Sequence, residues 1–546
     1  MRTIFKNAKI FTGAAQAESE GFKHSSLLIN DEVIEYVGTE EDQAIVAATQ
    51  DGAEVHDLGG KTIAPGFFDG HMHLLMFGTS LSKVSLEHCR SLQDIRSTIR
   101  EAAKNDQSRS RILCRGWMHY MTDGQALARD LDDLDERGRP IYIDSKDLHS
   151  TWVNSAALKE MGIQDMPDPA GGEIHRDGKG KATGLLSEAA AVTIVWPFLA
   201  KAASMEEKMT SIREAIKTYN AAGYTGLVEM AMDENAWEAL LLFRSKEELT
   251  IRIAVHWLIA PSKTTEENLR QVDRAIELWK EYNLDTSPSF RIAGIKVIGD
   301  GVIDACTAAL LEPYSKNGVS CEPLWNREML TEVVARADSA GLQCALHAIG
   351  DATIKLAIDV LERVASKDRR HRIEHLELTS PGDAKRLQAN GITASIQPVH
   401  ADPAITREWD SLLGFERRQR AFAYRDFLDE GVTLALGTDA PTAPNLPLQN
   451  IYIATTRRSA REPESEEVFN EHWALPLLSA FSAATFGAAY SCFADQAVGK
   501  IEAGKKADFV VLNMKWSPQS LLEERVTQTW FGGRKVYDSG ELRNDA

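Results

Sequence analysis

The sequence predicts an α/β fold: a (β/α)8 TIM-type barrel, a small β-sandwich domain built from both chain ends, and an inserted α+β domain after the first barrel strand. Three observations carry this expectation. Both ends read as short alternating strands, the middle alternates apolar strands with helical patterns, and one connection is abnormally long.

Residues 3–12, 25–36 and 54–58 alternate apolar and polar side chains between Gly, Asn and Asp; residues 508–512 and 526–537 do the same, with Gly532-Gly533 as a hairpin turn. Each end is too short to bury a sheet face alone, so the two pair into one domain. Residues 62–73, Thr-Ile-Ala-Pro-Gly-Phe-Phe-Asp-Gly-His-Met-His, form the first barrel strand, and Pro65, Gly66 and Gly70 mark where it breaks into a loop. Seven further apolar strands fall at 225–230, 251–258, 291–299, 343–347, 371–376, 392–398 and 432–438, which completes eight. Helical patterns at 206–222, 266–282, 326–340, 351–365 and 381–390 separate several of them, and a helix at 477–489 closes the barrel. The boundaries are then 1–61 with 490–546 for the sandwich, 62–76 with 222–489 for the barrel, and 77–221 for an inserted domain over the mouth.

Length and composition suit this plan. A chain of 546 residues with 43% apolar and 26% charged side chains is an ordinary globular protein of several domains. Its formal charge of −19, with no basic cluster, disfavours nucleic acid and anionic membranes. The six scattered cysteines, without a CxxC pair, point to a reducing, cytoplasmic setting. The first ten residues alternate apolar and charged side chains unlike a signal peptide, and no apolar run approaches the roughly 18 residues of a membrane span.

Active sites of such barrels lie at the C-terminal strand ends. Strand one ends in His71 and His73, which share a face because residues two apart in a strand point the same way. Strand four carries Lys296, strand five ends at His347, strand six holds His375, and strand eight ends at Asp439. Four histidines, a lysine and an aspartate therefore converge on one mouth. Imidazole and carboxylate groups suit zinc and other divalent metals.

At these residues the chain resembles the amidohydrolase superfamily of metal-dependent hydrolases, and the segment 498–512 resembles the family's return to its β domain. The resemblance narrows to the branch containing N-substituted formamide deformylase and exoenzyme regulatory protein-like members. Its marks are Asp147-Leu-His-Ser-Thr-Trp-Val-Asn-Ser155, Asp168-Pro-Ala-Gly-Gly172, Lys296-Val-Ile-Gly-Asp-Gly301, Thr307-Ala with Pro313-Tyr314, and Thr438-Asp-Ala-Pro441. The branch often has Gly before the histidine of the insertion, where this chain has Leu148, a bulkier residue that would narrow the pocket.

The resemblance implies one or two Zn²⁺ ions, other divalent metals being admitted. His71, His73 and Asp439 would hold the first, His347 and His375 the second, and a carboxylated Lys296 would bridge them. If Lys296 stays an amine, a single-metal site is expected. Asp439 is the expected proton shuttle, although Thr-Asp-Ala-Pro also suits a helix start. His149 could hydrogen-bond the substrate carbonyl or sit on an exposed loop. Tyr314 and His400 are candidate substrate contacts, with a packed turn and a loop cap as the plainer readings. Glu374 should point away from His375, toward helix packing or an outer bond, because neighbours in a strand face opposite sides. Trp117, Trp152 and Trp196 in the insertion fit core packing better than an aromatic wall.

The expected activity is hydrolysis of a carbon–nitrogen bond in a small non-peptide amide, formamide or N-acyl compound by a metal-bound hydroxide. Alternatives on the same frame are a deaminase, a cyclic-amide hydrolase, an ester or lactone hydrolase, and a metal-free scaffold without catalysis. The expected partner is a small-molecule amide, with a homodimer allowed.

Overall fold

The computed structural model describes residues 1–13, 22–107, 109–146, 150–169, 172–188 and 190–540. Eight parallel strands pair in chain order: β1 (Phe67–Met72), β2 (Tyr224–Met232), β3 (Arg252–Ile259), β4 (Phe290–Ile298), β5 (Gln343–Ala348), β6 (Arg372–His375), β7 (Thr393–Ile396) and β8 (Leu434–Leu436). Their runs are rich in Val, Ile, Ala and Phe and are buried almost throughout, as expected of a parallel sheet covered on both faces. Each observed strand overlaps the expected one, with small differences at the ends.

The seam between β8 and β1 closes just beyond the strands. Asp439 N–H reaches His71 O (2.7 Å), and His73 N–H reaches Ala440 O (3.0 Å). Two glycines permit this approach: a Cβ on Gly70 would stand 2.7 Å from Leu436 O, and one on Gly437 would stand 2.6 Å from His71 N. Buried Asp69 tightens the joint by accepting from Thr438 N (2.9 Å) and Thr438 Oγ1 (2.6 Å).

At the opposite end of the barrel, polar side chains of the strands bond to the closing helical segment. At the starts of β4, β5 and β6, the side chains of Arg291, Gln343 and Arg372 donate to Cys492 O, Ser491 O and Ser491 Oγ. The helical segment Ala488–Ser491 thereby caps the interior.

Strands from both chain ends build two small sheets. Val33–Gly38, Ser26–Asn30, Arg2–Lys6 and Glu54–Asp57 form one; Lys9–Ile10, Thr62–Pro65, Phe509–Asn513, Arg525–Phe531 and Arg534–Asp538 form the other. One core joins them, with Phe5, Leu27 and Ile29 packed with Ile63, Phe509 and Trp530. A helix, Gln43–Gln50, is an addition that the strand pattern did not announce. Asp508 locks the returning chain to the barrel: its carboxylate accepts from Arg252 Nε (2.7 Å) and Gly532 N (2.8 Å).

The described chain divides into two compact units, Met1–Leu74 with Ile216–Asp233 and Glu247–Ala546, and Leu75–Ala215 with Glu234–Lys246. The second has its own six-stranded sheet, ordered Gly172–Arg176, Ala182–Glu188, Ser150–Val153, Ile141–Ser145, Ile112–Trp117 and Val84–Ser85. Two of its helices begin on side-chain caps, Ser91 for Leu92–Asn105 and Asn154 for Ser155–Met161. Trp117 and Trp152 are buried in its core, 5.4 Å apart, which is packing rather than a pocket wall. Trp196 lies against a second cluster around Val153 and Leu186. Among the described residues all six cysteines are free thiols, and no helix is long and apolar enough to cross a membrane.

Gly437→Ala should lower unfolding stability by about 1–3 kcal/mol, because the added methyl has nowhere to go at the seam. Urea unfolding checks it; an unchanged midpoint would show that the seam is looser than described.

Candidate metal centre

β1 delivers His71 and His73 to the mouth with their orientation already set. Glu374 Oε2 accepts from His71 Nδ1 (2.7 Å), and the Met230 carbonyl accepts from His73 Nδ1 (2.7 Å). Each partner is an acceptor, so each Nδ1 carries the hydrogen and each Nε2 presents a lone pair. Those two Nε2 atoms face the same oxygen, Asp439 Oδ1, at 3.4 and 3.1 Å. Acceptor against acceptor at that range is stable only with a proton or a cation between them. The three ligand atoms lie within 4.8 Å of one another.

Asp439 is held in place by the seam hydrogen bonds and has a left-handed backbone, φ 56°. Burial alone would raise the Asp439 pKa, but its contacts with His71, His73 and His375 hold the carboxyl well below the usual range. β6 ends with the same irregularity, φ 75° at His375 and 52° at Leu376. Of the two expectations for Glu374, the outer bond is realised, to His71, and helix packing is not. Glu374 points into the barrel, not toward the helices, because the left-handed turn at His375 breaks the alternation that would send the two residues apart. Inside, Glu374 is bound by Arg372 (Nε to Oε1, 2.6 Å) as well as His71. Burial alone would raise its pKa, but the Arg372 charge and the His71 bond hold it well below normal.

His347 and His375 complete the set. Their ring centres are 4.3 Å apart, and His375 is 5.0 Å from His71. No hydrogen bond within range is made by His347 Nε2 or His375 Nδ1; their nearest carboxylates, Asp300 and Glu377, stand 3.6 and 4.0 Å away. Burial drives the His71 pKa down to about 4 and that of His347 to about 3, and His375 also falls far below normal, so all three rings are neutral and competent as ligands. Lys296 is 2% exposed, and its Nζ has no hydrogen-bond partner. Burial brings its pKa down to about 8. An orphaned buried amine beside neutral imidazoles and a carboxylate fits a divalent metal site whose lysine is modified to carry negative charge.

The remaining candidates divide. His400 reaches the centre: Nδ1 is 3.2 Å from Glu377 Oε1, Nε2 is 3.7 Å from Asp439 Oδ2, and the ring stacks on His375. Glu377, which with His375 and His400 forms a second group of ligand atoms within 4.8 Å, went unnoticed in the sequence despite standing two residues after His375. Tyr314 is buried, and its hydroxyl donates to Ala308 O (3.1 Å). His149 lies outside the described residues.

Comparison with known proteins bears on the family and the fold. A family model described as the amidohydrolase family matches residues 54–537. The protein LONG AFTER FAR-RED 3 of Arabidopsis thaliana is 30% identical over 511 residues, covering 89% of this chain and 84% of that protein. N-substituted formamide deformylase of Arthrobacter pascens is 25% identical over 548 residues, covering 94% of this chain and 95% of the enzyme. Among solved structures, an uncharacterized metal-dependent hydrolase from Pyrococcus furiosus is similar with a TM-score of 0.79 at 25% identity, covering 94% of this chain and 100% of that one.

Glu374→Gln should weaken divalent-metal binding by about 10–100-fold, since the outer partner of a ligating histidine would no longer be a carboxylate. Competition against a chromogenic chelator measures it, with thermal melting as the check on folding; unchanged affinity in a folded variant would refute the role.

Proposed function

The chain belongs to the amidohydrolase family, and from that membership we propose that it is a zinc hydrolase that cleaves the carbon–nitrogen bond of a small non-peptide amide, formamide or N-acyl compound. The observation that carries the reading is the pair of imidazole lone pairs aimed at one Asp439 oxygen, an arrangement that calls for a cation. The relatedness to a formamide deformylase supports the bond type.

His71, His73 and Asp439 would hold one cation, and His347 and His375 a second, with Lys296 between them as a carbamate. To form it, the Lys296 ammonium would first give up a proton, the neutral nitrogen would bond to the carbon of CO₂, and a second proton would leave that nitrogen, which turns a repelled cation into an anionic ligand. A bound divalent cation polarises a carbonyl and brings the pKa of a water from about 15.7 toward about 7. Glu374 keeps the His71 Nε2 lone pair directed at the centre by holding the hydrogen on Nδ1. Asp439, kept ionised by the histidines, takes the proton of the attacking water on a carboxylate oxygen and gives it to the departing nitrogen. His400, fixed by Glu377, faces the second oxygen of that carboxylate and limits its rotation.

Zinc-reconstituted protein should hydrolyse at least one member of a panel of N-formyl, N-acetyl and cyclic amides, and His71→Ala should lose both metal and turnover. Mass spectrometry finding no metal after growth in zinc-supplemented medium, or an inert protein across the panel, would sink the assignment. Asp439→Asn should lower kcat by about 10²–10⁴-fold; an unaltered kcat would reject the shuttle.

A further inference from the structure

Gln397 follows β7 directly, at the C-terminal end of the barrel. Two residues earlier, Ser395 points into the barrel, because its Oγ accepts from Arg372 Nη2 (2.7 Å) and the same nitrogen reaches Gly70 O on β1. Residues two apart share a face, so Gln397 also points inward, one step nearer the mouth. Its neighbour across the ladder is the segment through Gly437, whose backbone presses on His71 and leads to Asp439.

The Gln397 side chain is buried, at 1% exposure, and neither Oε1 nor Nε2 has a hydrogen-bond partner. Exchanging the oxygen and nitrogen leaves both still unpaired, so the observation does not depend on how the amide is turned. Buried amides are nearly always satisfied, and one with both ends unpaired calls for an explanation, of which a bound molecule supplying the partners is one. Nearby carboxylates are already committed. Glu374 binds Arg372 and His71, and Asp69 binds Thr438 and Tyr219. An uncommitted neutral acceptor beside an uncommitted donor therefore stands buried at the mouth end of β7.

We infer that Gln397 is a specificity-determining residue that reads the substrate's amide: Oε1 accepts the substrate N–H, and Nε2 donates to a carbonyl oxygen. This rests on the carbon–nitrogen reading above and narrows it to compounds that carry an N–H. An ester or lactone of the same shape places an oxygen lone pair against Oε1 and leaves that buried acceptor unpaired, which is the situation in which sites discriminate most strongly.

The test compares N-butylformamide with its oxygen isostere, butyl formate, on zinc-loaded full-length protein. In Gln397→Met the ratio of kcat/KM for amide over ester should fall by about 10–100-fold, with metal content unchanged by mass spectrometry. Equal losses on both compounds, or loss of metal, would overturn the inference in favour of a structural role. If thermal melting shows that this variant does not fold, Gln397→Leu takes its place with the same two outcomes. If the wild type hydrolyses no amide, the proposed reaction itself fails, and Gln397 is then read by calorimetry. N-butylformamide should bind the wild type at least about tenfold tighter than butyl formate, and equal binding would overturn the inference.

Discussion

A guanidinium and a carboxylate lie side by side in the interior of the barrel, and the arrangement at its mouth hangs from that pair. Arg372 and Glu374 are both fully buried on β6. Such a pair is costly to desolvate and is retained only when its other hydrogen-bonding capacity is met. Here it is met by Gly70 O on β1, Ser395 Oγ on β7, Ser491 Oγ in the capping helix and His71 Nδ1 at the centre. Three separate parts of the chain, β1, β7 and the capping helix, are thus pinned to β6 by one ion pair. Removing either partner would leave a lone buried charge, at a cost of about 3–5 kcal/mol. His71, one of the two histidines that face Asp439, is oriented by the same carboxylate, so stability and site geometry share a cause.

The left-handed backbone positions tell a related story. Ala231, His375, Leu376 and Asp439 all have positive φ without being glycine, and all lie at C-terminal strand ends. Residues in that region carry a conformational cost that neighbouring structure has to sustain. At His375 the benefit is visible, because two successive side chains, Glu374 and His375, both turn inward where a regular strand would send one of them out. At Asp439 the turn lets the backbone bond back to β1 while the carboxylate faces the imidazoles.

Much of this was legible in the residues. Eight apolar runs of strand length, each followed by a helical pattern or a long loop, are enough to announce a parallel barrel, and strand-end histidines mark its mouth. What stayed hidden has physical reasons. The inward direction of Glu374 was missed, though not its outer bond, because period-two alternation assumes an unbroken strand, and nothing local in Arg-Ile-Glu-His announces a left-handed turn. Gln397 carries no charge and does not titrate, so it stands out only when its unpaired ends are seen in three dimensions. The division of the terminal strands between two sheets was equally invisible, since alternation specifies which face is apolar but not which strand is the neighbour. The helix Glu234–Lys246 has apolar residues around most of its circumference and so lacks a clean stripe.

The pairing of Thr62–Pro65 with Phe509–Asn513 has a consequence for how the molecule is made. A ribosome emits the first of these strands long before the second, so Ile63 and its apolar neighbours wait without their covering partner while most of the chain is still being synthesised. The same delay separates Asp69 on β1 from Thr438, which closes the barrel. Until the later strands arrive, the growing chain exposes unpaired strand edges and apolar faces, the condition in which aggregation competes with folding.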